Sequence, residues 1–256
     1  MKSNKDFSTK QSLAVLLVGE QKTGKTRTLF SFPDPWVLDV DRNMASAVRI
    51  IGSKKFFYDD PYTDTAGVTI PDDLKLIKDK LSTRWARAVD LIKEAAKSPE
   101  VKTIAIDGLA GLAAMLNNHI MFCALRDEGK VLDRLRIQDY QPLKTILTSL
   151  IMSLRNCGKI IVFTSHQKTD KDEHTGRIRY TLNMPGSLSE NFGGFFTDVW
   201  ATHGSNSGGK IKYEILTKPS GFHVSLGTSF DLPSAIDVTD KSPEQIWAVV
   251  SPKLCL

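Results

Sequence analysis

Cysteine is scarce in this chain of 256 residues: Cys123, Cys157 and Cys255 are all it has. No two of them form a C-x-x-C pair, and an odd number argues against a disulfide framework. Cys123 and Cys157 sit inside apolar patterns and read as core residues. Long apolar runs are lacking as well. None approaches the roughly 20 residues that cross a bilayer, so no membrane span is expected. Met1–Gln11 is polar and charged, with Phe7 its one apolar anchor. It reads as a flexible arm, not a signal peptide. These absences point to a soluble protein of a reducing compartment, the cytoplasm. There is no internal repeat and no linker-like stretch, so residues 12–256 read as a single domain. His166 lacks partner histidines or cysteines at ligand spacing, which argues against a classical metal site. The net charge is +5 and the pI near 9.0, a mild bias toward an anionic partner.

What is present begins with Gly19-Glu20-Gln21-Lys22-Thr23-Gly24-Lys25-Thr26. The apolar run Ser12–Val18 before it has the length of a buried strand, and Arg27-Thr28-Leu29-Phe30 can open a helix. Strand, G-x-x-x-x-G-K-T and helix are the parts of a P-loop. The glycines allow the tight turn that aims backbone N–H groups at phosphate oxygens, and the helix adds its positive end. Lys25 can reach the β- and γ-phosphates, while the Thr26 hydroxyl can ligate Mg²⁺. Gly19 to Arg27 is therefore the candidate ATP-binding segment.

Further along, Phe32-Pro33-Asp34-Pro35 ends the first helix, since proline cannot continue it. Trp36–Asp41 is a short strand ending in carboxylates, Ala45–Ile51 a short helix and Phe56–Tyr58 a strand. Residues 59–71 are rich in turn formers and read as a loop. Residues 72–97 carry Leu74, Ile77, Leu81, Trp85, Val89 and Ile92 at helical spacing. Val101–Ile106 is a strand, residues 109–125 a helix, and Tyr140–Asn156 another, closed by Gly158. Lys159–Thr164 is a strand, and Arg177–Leu182 reads as a hairpin arm. Residues 199–202, 211–217 and 222–226 are strand-like, and Ser242-Pro243-Glu244 starts a last helix. Alternation of strands and helices to about residue 165, with short strands after it, predicts an α/β fold. The central sheet is mostly parallel and flanked by helices, with a β-rich C-terminal portion.

Hydrolysis needs more than a P-loop: a carboxylate for Mg²⁺ and a group to orient water. Val101–Asp107 is an apolar strand ending in Asp, the form of a Walker B. Asp107 would hold Mg²⁺ through water beside Thr26, or N-cap the next helix. Asp39 and Asp41 end the second strand, where an open parallel sheet faces its ligand. One can activate water; the alternative is a cap or turn. Ser165-His166-Gln167 ends a third strand on that rim, as a γ-phosphate sensor or as a hydrogen-bonded turn.

In their order these segments resemble a RecA-type P-loop ATPase core, with an AAA-type ATPase domain. The chain is especially similar to phage single-strand annealing ATPases and phage nucleotide-binding proteins. Residues 12–230 carry the likeness, through Gly19–Thr26, Leu38–Asp41, Ile104–Leu109 and Val162–His166. The resemblance implies a RecA-like fold and puts Asp41 in the place of the water-activating carboxylate, usually Glu. Asp107 takes the Walker B place, and His166 that of the polar γ-phosphate sensor. It also makes the stretch after His166 a loop that grips single-stranded DNA. There Lys168, Lys171, Arg177 and Arg179 offer phosphate contacts and Tyr180 a base-stacking ring, with Asp170, Asp172 and Glu173 blunting the field. Arg126, Lys130, Arg134 and Arg136 form a weaker basic set. Lys218 is a candidate to reach a neighbour's nucleotide. The implied protein is a homo-oligomeric ATPase, ring or filament, using ATP and Mg²⁺ on single-stranded DNA in annealing or recombination. A single-strand binding protein is a candidate partner, and host cytoplasm the location. Competing readings are a nucleotide-gated DNA- or protein-binding module with negligible turnover, and a small-molecule kinase on the same P-loop.

Overall fold

The computed structural model describes residues 13–52, 54–62, 74–124, 140–171, 176, 178–185 and 188–253. The N-terminal arm, Arg126, Lys130, Arg134, Arg136, Arg177 and Cys255 lie outside them. Among the described residues nine strands form one sheet in the order β3-β2-β4-β5-β1-β7-β8-β9, with β6 hydrogen-bonded to β5 off that path. The strands are β1 (Ala14–Gly19), β2 (Pro35–Asp39), β3 (Phe57–Asp59), β4 (Thr103–Asp107) and β5 (Ile160–Lys171), followed by β6 (Ile178–Leu182), β7 (Asp198–Ser207), β8 (Lys210–Leu216) and β9 (Ala235–Asp237). The six strands β1–β5 and β7 pair in parallel, whereas β7-β8-β9 and β5-β6 are antiparallel. The mostly parallel sheet with antiparallel strands toward the C-terminal end is as expected, and β5 lies between the P-loop strand β1 and β4.

The helices are α1 (Lys25–Leu29), α2 (Met44–Ile51), α3 (Leu74–Lys97), α4 (Leu109–His119), α5 (Tyr140–Arg155), α6 (Leu188–Asn191) and α7 (Pro243–Val250). Side-chain alternation along β1 explains why they cover both faces. Ala14, Leu16 and Val18 join Ile104, Ile106 and Phe163 in one core against Trp85, Ala88 and Ile92 of α3, Leu112 and Leu116 of α4, and Leu143 and Leu147 of α5. Leu13, Val15 and Leu17 join Val37, Ala105, Val162 and Trp200 in the other, against Leu29 of α1, Met44 and Ala47 of α2, and Ile246 and Val250 of α7. Strands buried on both faces need apolar residues at successive positions, which is why β1 reads as an unbroken apolar run. Helix α7 starts as expected, with a capping box: Gln245 N donates to the Ser242 hydroxyl while the Ser242 N–H donates to the Gln245 side chain.

Three segments differ from their expected form. Helix α4 gives way at Ile120 to one π-type turn, Ile120–Ala124, where a single helix to residue 125 was expected. Strand β5 does not stop at Thr164 but runs on to Lys171, because β6 pairs with its polar half. Residues 222–226 are not a strand: within them only His223 is bridged, to Ser220, and Gly227 just after them pairs with Val199. Cys157 is a half-buried free thiol that packs against the first core, and the Cys123 side chain lies outside the described part.

Sheet register alone assembles the rim of the site. Gly19 pairs with His166, Asp107 with Thr164, and Asp39 with Asp107. Five residues from four sequence-distant strands thus reach the C-terminal edge of neighbouring parallel strands.

Candidate nucleotide site

Between β1 and α1 the backbone turns through two left-handed residues, Lys22 (φ 62°) and Gly24 (φ 94°). Gly24 suits that conformation without cost. Gly19 is required for another reason: a Cβ there would lie 2.4 Å from Thr202 Oγ1 and 2.7 Å from Thr202 O. The Thr23 hydroxyl sits 2.7 Å from the Thr202 hydroxyl and donates to Glu20 O at 2.8 Å. Strand β7 therefore braces the loop from one side. Behind α1, Lys54 Nζ donates to the carbonyls of Phe30, Ser31 and Phe32 at 2.7, 3.4 and 3.0 Å. Those acceptors are the C-cap of α1, Phe30, and the two residues that follow it, so Lys54 secures the exit of the helix.

Lys25 is 8 % exposed. Its Nζ donates to Gly19 O at 3.0 Å and Glu20 O at 2.5 Å and lies 3.3 Å from His166 Nδ1. Burial pulls its pKa from 10.5 to about 8, against the opposing pull of Asp107, Asp41 and Glu20. The ammonium thus rests inside the loop, held by carbonyls and short of a full counter-charge.

Asp107 is 2 % exposed. Burial pushes its carboxyl from 3.8 up to about 6, against hydrogen bonds from Thr164 and Thr26. Thr164 Oγ1 donates to Oδ1 at 2.6 Å, and Thr26 Oγ1 reaches Oδ2 at 3.4 Å. A buried carboxylate beside a threonine hydroxyl fits Mg²⁺, which keeps several waters and takes few protein ligands. The described residues contain no group of three or more His, Cys, Asp or Glu that could hold a metal ion. Asp107 does not serve as the N-cap of α4: that place is Gly108, with no side-chain cap.

The two carboxylates of the second strand separate in role. Asp39 accepts from the N–H groups of Asn43 at 2.9 Å and Met44 at 3.1 Å, and so holds the start of α2. Asp41 points into the site. Its Oδ2 is 3.8 Å from His166 Nε2, and burial, then Asp39, raises its pKa, partly offset by Lys25. Gly108 (φ 114°) makes room for it, because a Cβ there would sit 2.3 Å from Asp41 Oδ1. His166 stands between the ammonium of Lys25, 3.3 Å from its Nδ1, and the carboxylate of Asp41, 3.8 Å from its Nε2. Burial and then Lys25 keep its pKa below 6.5, so the ring is neutral at pH 7. These groups open onto a cavity of about 820 Å³ that also reaches Gln21, Lys22, Arg27, Tyr213 and Val238. That volume lies in the range of small-ligand sites. Arg27 lines it while donating to Lys241 O, which ties α1 to the loop before α7.

The structure thus gathers Lys25, Thr26, Asp41, Asp107 and His166 at one place. Thr23, inside the expected Gly19–Arg27 segment, braces it through Thr202; Thr202, Thr164, Gly108, Tyr213 and Val238 complete it, and sequence reading missed these five. Thr202, Tyr213 and Val238 come from the antiparallel end, whose motifs carry no nucleotide signature. The residues expected to contact DNA are more scattered. Lys168 and Lys171 are exposed on β5. Arg179 is tied to Asp170 at 3.0 Å and Glu190 at 2.7 Å. Tyr180 is half-buried, its ring 4.7 Å from that of His223 and 5.9 Å from that of Phe222. Lys218 is exposed just after β8.

Residues 11–203 match the model of a protein family described as an AAA domain. No curated protein matches the chain. Among solved structures it is similar to a KaiC-like protein, PH0186, from the archaeon Pyrococcus horikoshii OT3, at 14 % identity over 88 % of each chain with a TM-score of 0.40. It is also similar to the flagellar accessory protein FlaH from Methanocaldococcus jannaschii, at 14 % identity over 88 % of this chain and 84 % of that one, with a TM-score of 0.39.

Proposed function

The chain belongs to the AAA domain family, and from that premise we propose that it is an Mg²⁺-dependent ATPase that binds single-stranded DNA and promotes annealing or recombination as a homo-oligomer. The P-loop ATPase domain rests on the family match and the RecA-like fold. One observation carries the hydrolytic reading: Lys25, Thr26 and Asp107 meet Asp41 and His166 around a single cavity. The DNA, oligomer and recombination parts rest on the resemblance to phage annealing ATPases and on the exposed lysines after His166. No helix among the described residues is long and apolar enough to cross a membrane.

Each residue has a task that follows from its surroundings. The turn from Glu20 to Lys25 offers backbone donors to phosphate oxygens, and an incoming phosphate gives the buried Lys25 ammonium the anion it lacks. Thr26 and Asp107 would hold Mg²⁺, Asp107 through water; the ion when bound would neutralise charge on the β- and γ-phosphate oxygens. Asp41, with its raised pKa, is suited to take the proton of an attacking water. The water oxygen forms the new bond to the γ-phosphorus, the bond from that phosphorus to the β-bridging oxygen breaks, and ADP and phosphate leave. His166, neutral and 3.8 Å from Asp41, orients that carboxylate and meets the γ-phosphate side of the cavity.

Steady-state hydrolysis together with fluorescent-nucleotide binding tests this. Lys25→Ala should lose both. Asp41→Asn should keep nucleotide affinity and lose turnover. Full turnover in Asp41→Asn would remove Asp41 from the mechanism, and binding without turnover in the wild type would leave a nucleotide-gated binding module.

A further inference from the structure

The ring that faces solvent beyond His166 is not Tyr180 but Phe222, which is 51 % exposed. It stands at the tip of a tight turn. Ser220 and His223 exchange both backbone hydrogen bonds, Ser220 N to His223 O at 3.1 Å and His223 N to Ser220 O at 2.9 Å, and Gly221 (φ 55°) supplies the left-handed residue between them. The turn is anchored underneath. His223 is 7 % exposed and packs on Tyr180 and His203, with ring centroids 4.7 and 6.1 Å away. Tyr180 N–H donates to Phe222 O at 3.0 Å, and the Tyr180 ring meets Phe222 edge-on at 5.9 Å. A large apolar ring is thus held out from the protein on a rigid seat, where ordinary surface burial would have turned it inward.

The cations around it are available. Cross-strand pairing puts Lys171 opposite Ile178 and Thr169 opposite Tyr180, so these four share one face of the β5–β6 hairpin. Ile178 is 39 % exposed. Lys218 precedes the Phe222 turn on the same loop. Among the described residues, neither Lys171 nor Lys218 has an ion pair, whereas Arg179 and Lys212 are matched to carboxylates. A protein partner would call for a wide apolar patch. One rigid ring with unpaired lysines near it instead suits a base stacked on an aromatic and phosphates held by cations.

We propose that Phe222, seated on Tyr180 and flanked by Ile178, is the platform on which a base of a single-stranded nucleic acid stacks, with Lys171 and Lys218 taking adjacent phosphates. This rests on the DNA reading above and names the surface. It also links that surface to the nucleotide: β5 runs unbroken from His166 at the γ-phosphate rim to Lys171 on the platform face.

Anisotropy of a labelled oligo-dT, with a non-hydrolysable ATP analogue and Mg²⁺ present, tests it at about 50 and 200 mM salt. Phe222→Ala should weaken binding roughly ten- to a hundred-fold, and Phe222→Trp should retain it. Lys171→Gln should reduce the slope of log affinity against log salt by about 0.7. Ile211→Ala, which removes an exposed apolar side chain from the β7–β8 hairpin, should change nothing, and circular dichroism checks that each variant folds. Wild-type affinity in Phe222→Ala overturns the platform while leaving the DNA reading in place. Failure of the wild type itself to bind overturns both. Unchanged DNA affinity with a smaller particle in sedimentation would make Phe222 a contact between copies of the chain, which also overturns the proposal.

Discussion

Replacing Asp107 with Asn should strengthen the fold and destroy the activity together. In the chain free of nucleotide and metal, burial raises this carboxyl from 3.8 to about 6. The folded chain therefore binds more protons than the unfolded chain between those values. Unfolding free energy falls as pH rises through that window and is flat above it. At about 1.4 kcal/mol per pH unit, keeping the carboxylate ionised costs about 3 kcal/mol at pH 8 and roughly half of that at pH 5. The asparagine side chain has the same shape and no charge. Its oxygen can still accept from Thr164 Oγ1, which now donates to Oδ1 at 2.6 Å. Urea unfolding in EDTA should thus show Asp107→Asn more stable than wild type by about 3 kcal/mol at pH 8, with a smaller gain at pH 5. Mg²⁺-dependent hydrolysis should be lost. If the variant is destabilised equally at both pH values, Asp107 is not a strained buried carboxylate, and its fit to Mg²⁺ loses its electrostatic basis.

Asp41→Asn should lower turnover by about 10²- to 10⁴-fold with little change in nucleotide affinity, measured by coupled ATPase and equilibrium binding. Gly108→Ala should copy that loss, because the new Cβ would lie 2.3 Å from Asp41 Oδ1 and alanine is strained at φ 114°. Lys54→Met should cost about 1–2 kcal/mol in urea unfolding, since three carbonyls behind α1 lose a charged donor. Lys25→Met should raise the pKa of His166 toward its ordinary value, read by NMR titration of the imidazole, because the Lys25 ammonium is one of the causes holding it down.

Local patterns made the first half of the site legible. An apolar run followed by G-x-x-x-x-G-K-T can do little else, and Val101–Asp107 announces a strand with a carboxylate at its end. Their adjacency followed from one rule, that parallel strands present their C-terminal edges together. Spacing alone left the choice between Asp39 and Asp41 open, because they stand two residues apart at one strand end, and only the family resemblance pointed to Asp41. Hydrogen bonding decides it: Asp39 is consumed by the N–H groups of Asn43 and Met44, while Asp41 faces His166. Strand β5 looked shorter than it is because residues 165–171 are polar, and their pairing with β6 is a tertiary fact. Tyr180 looked like the stacking ring because aromatic content is visible in sequence and burial is not. The half-buried position of Tyr180 depends on His223, more than forty residues later. Thr202, which forces glycine at position 19, comes from a strand at the opposite end of the chain and shows no motif at all.

ATP hydrolysis with Mg²⁺ at low salt, measured without DNA, with single-stranded DNA and with duplex, tests the central claim most directly. The reading expects turnover that depends on Lys25 and Asp41 and rises with single strands but not with duplex. Nucleotide binding with no hydrolysis under any of the three conditions would contradict it.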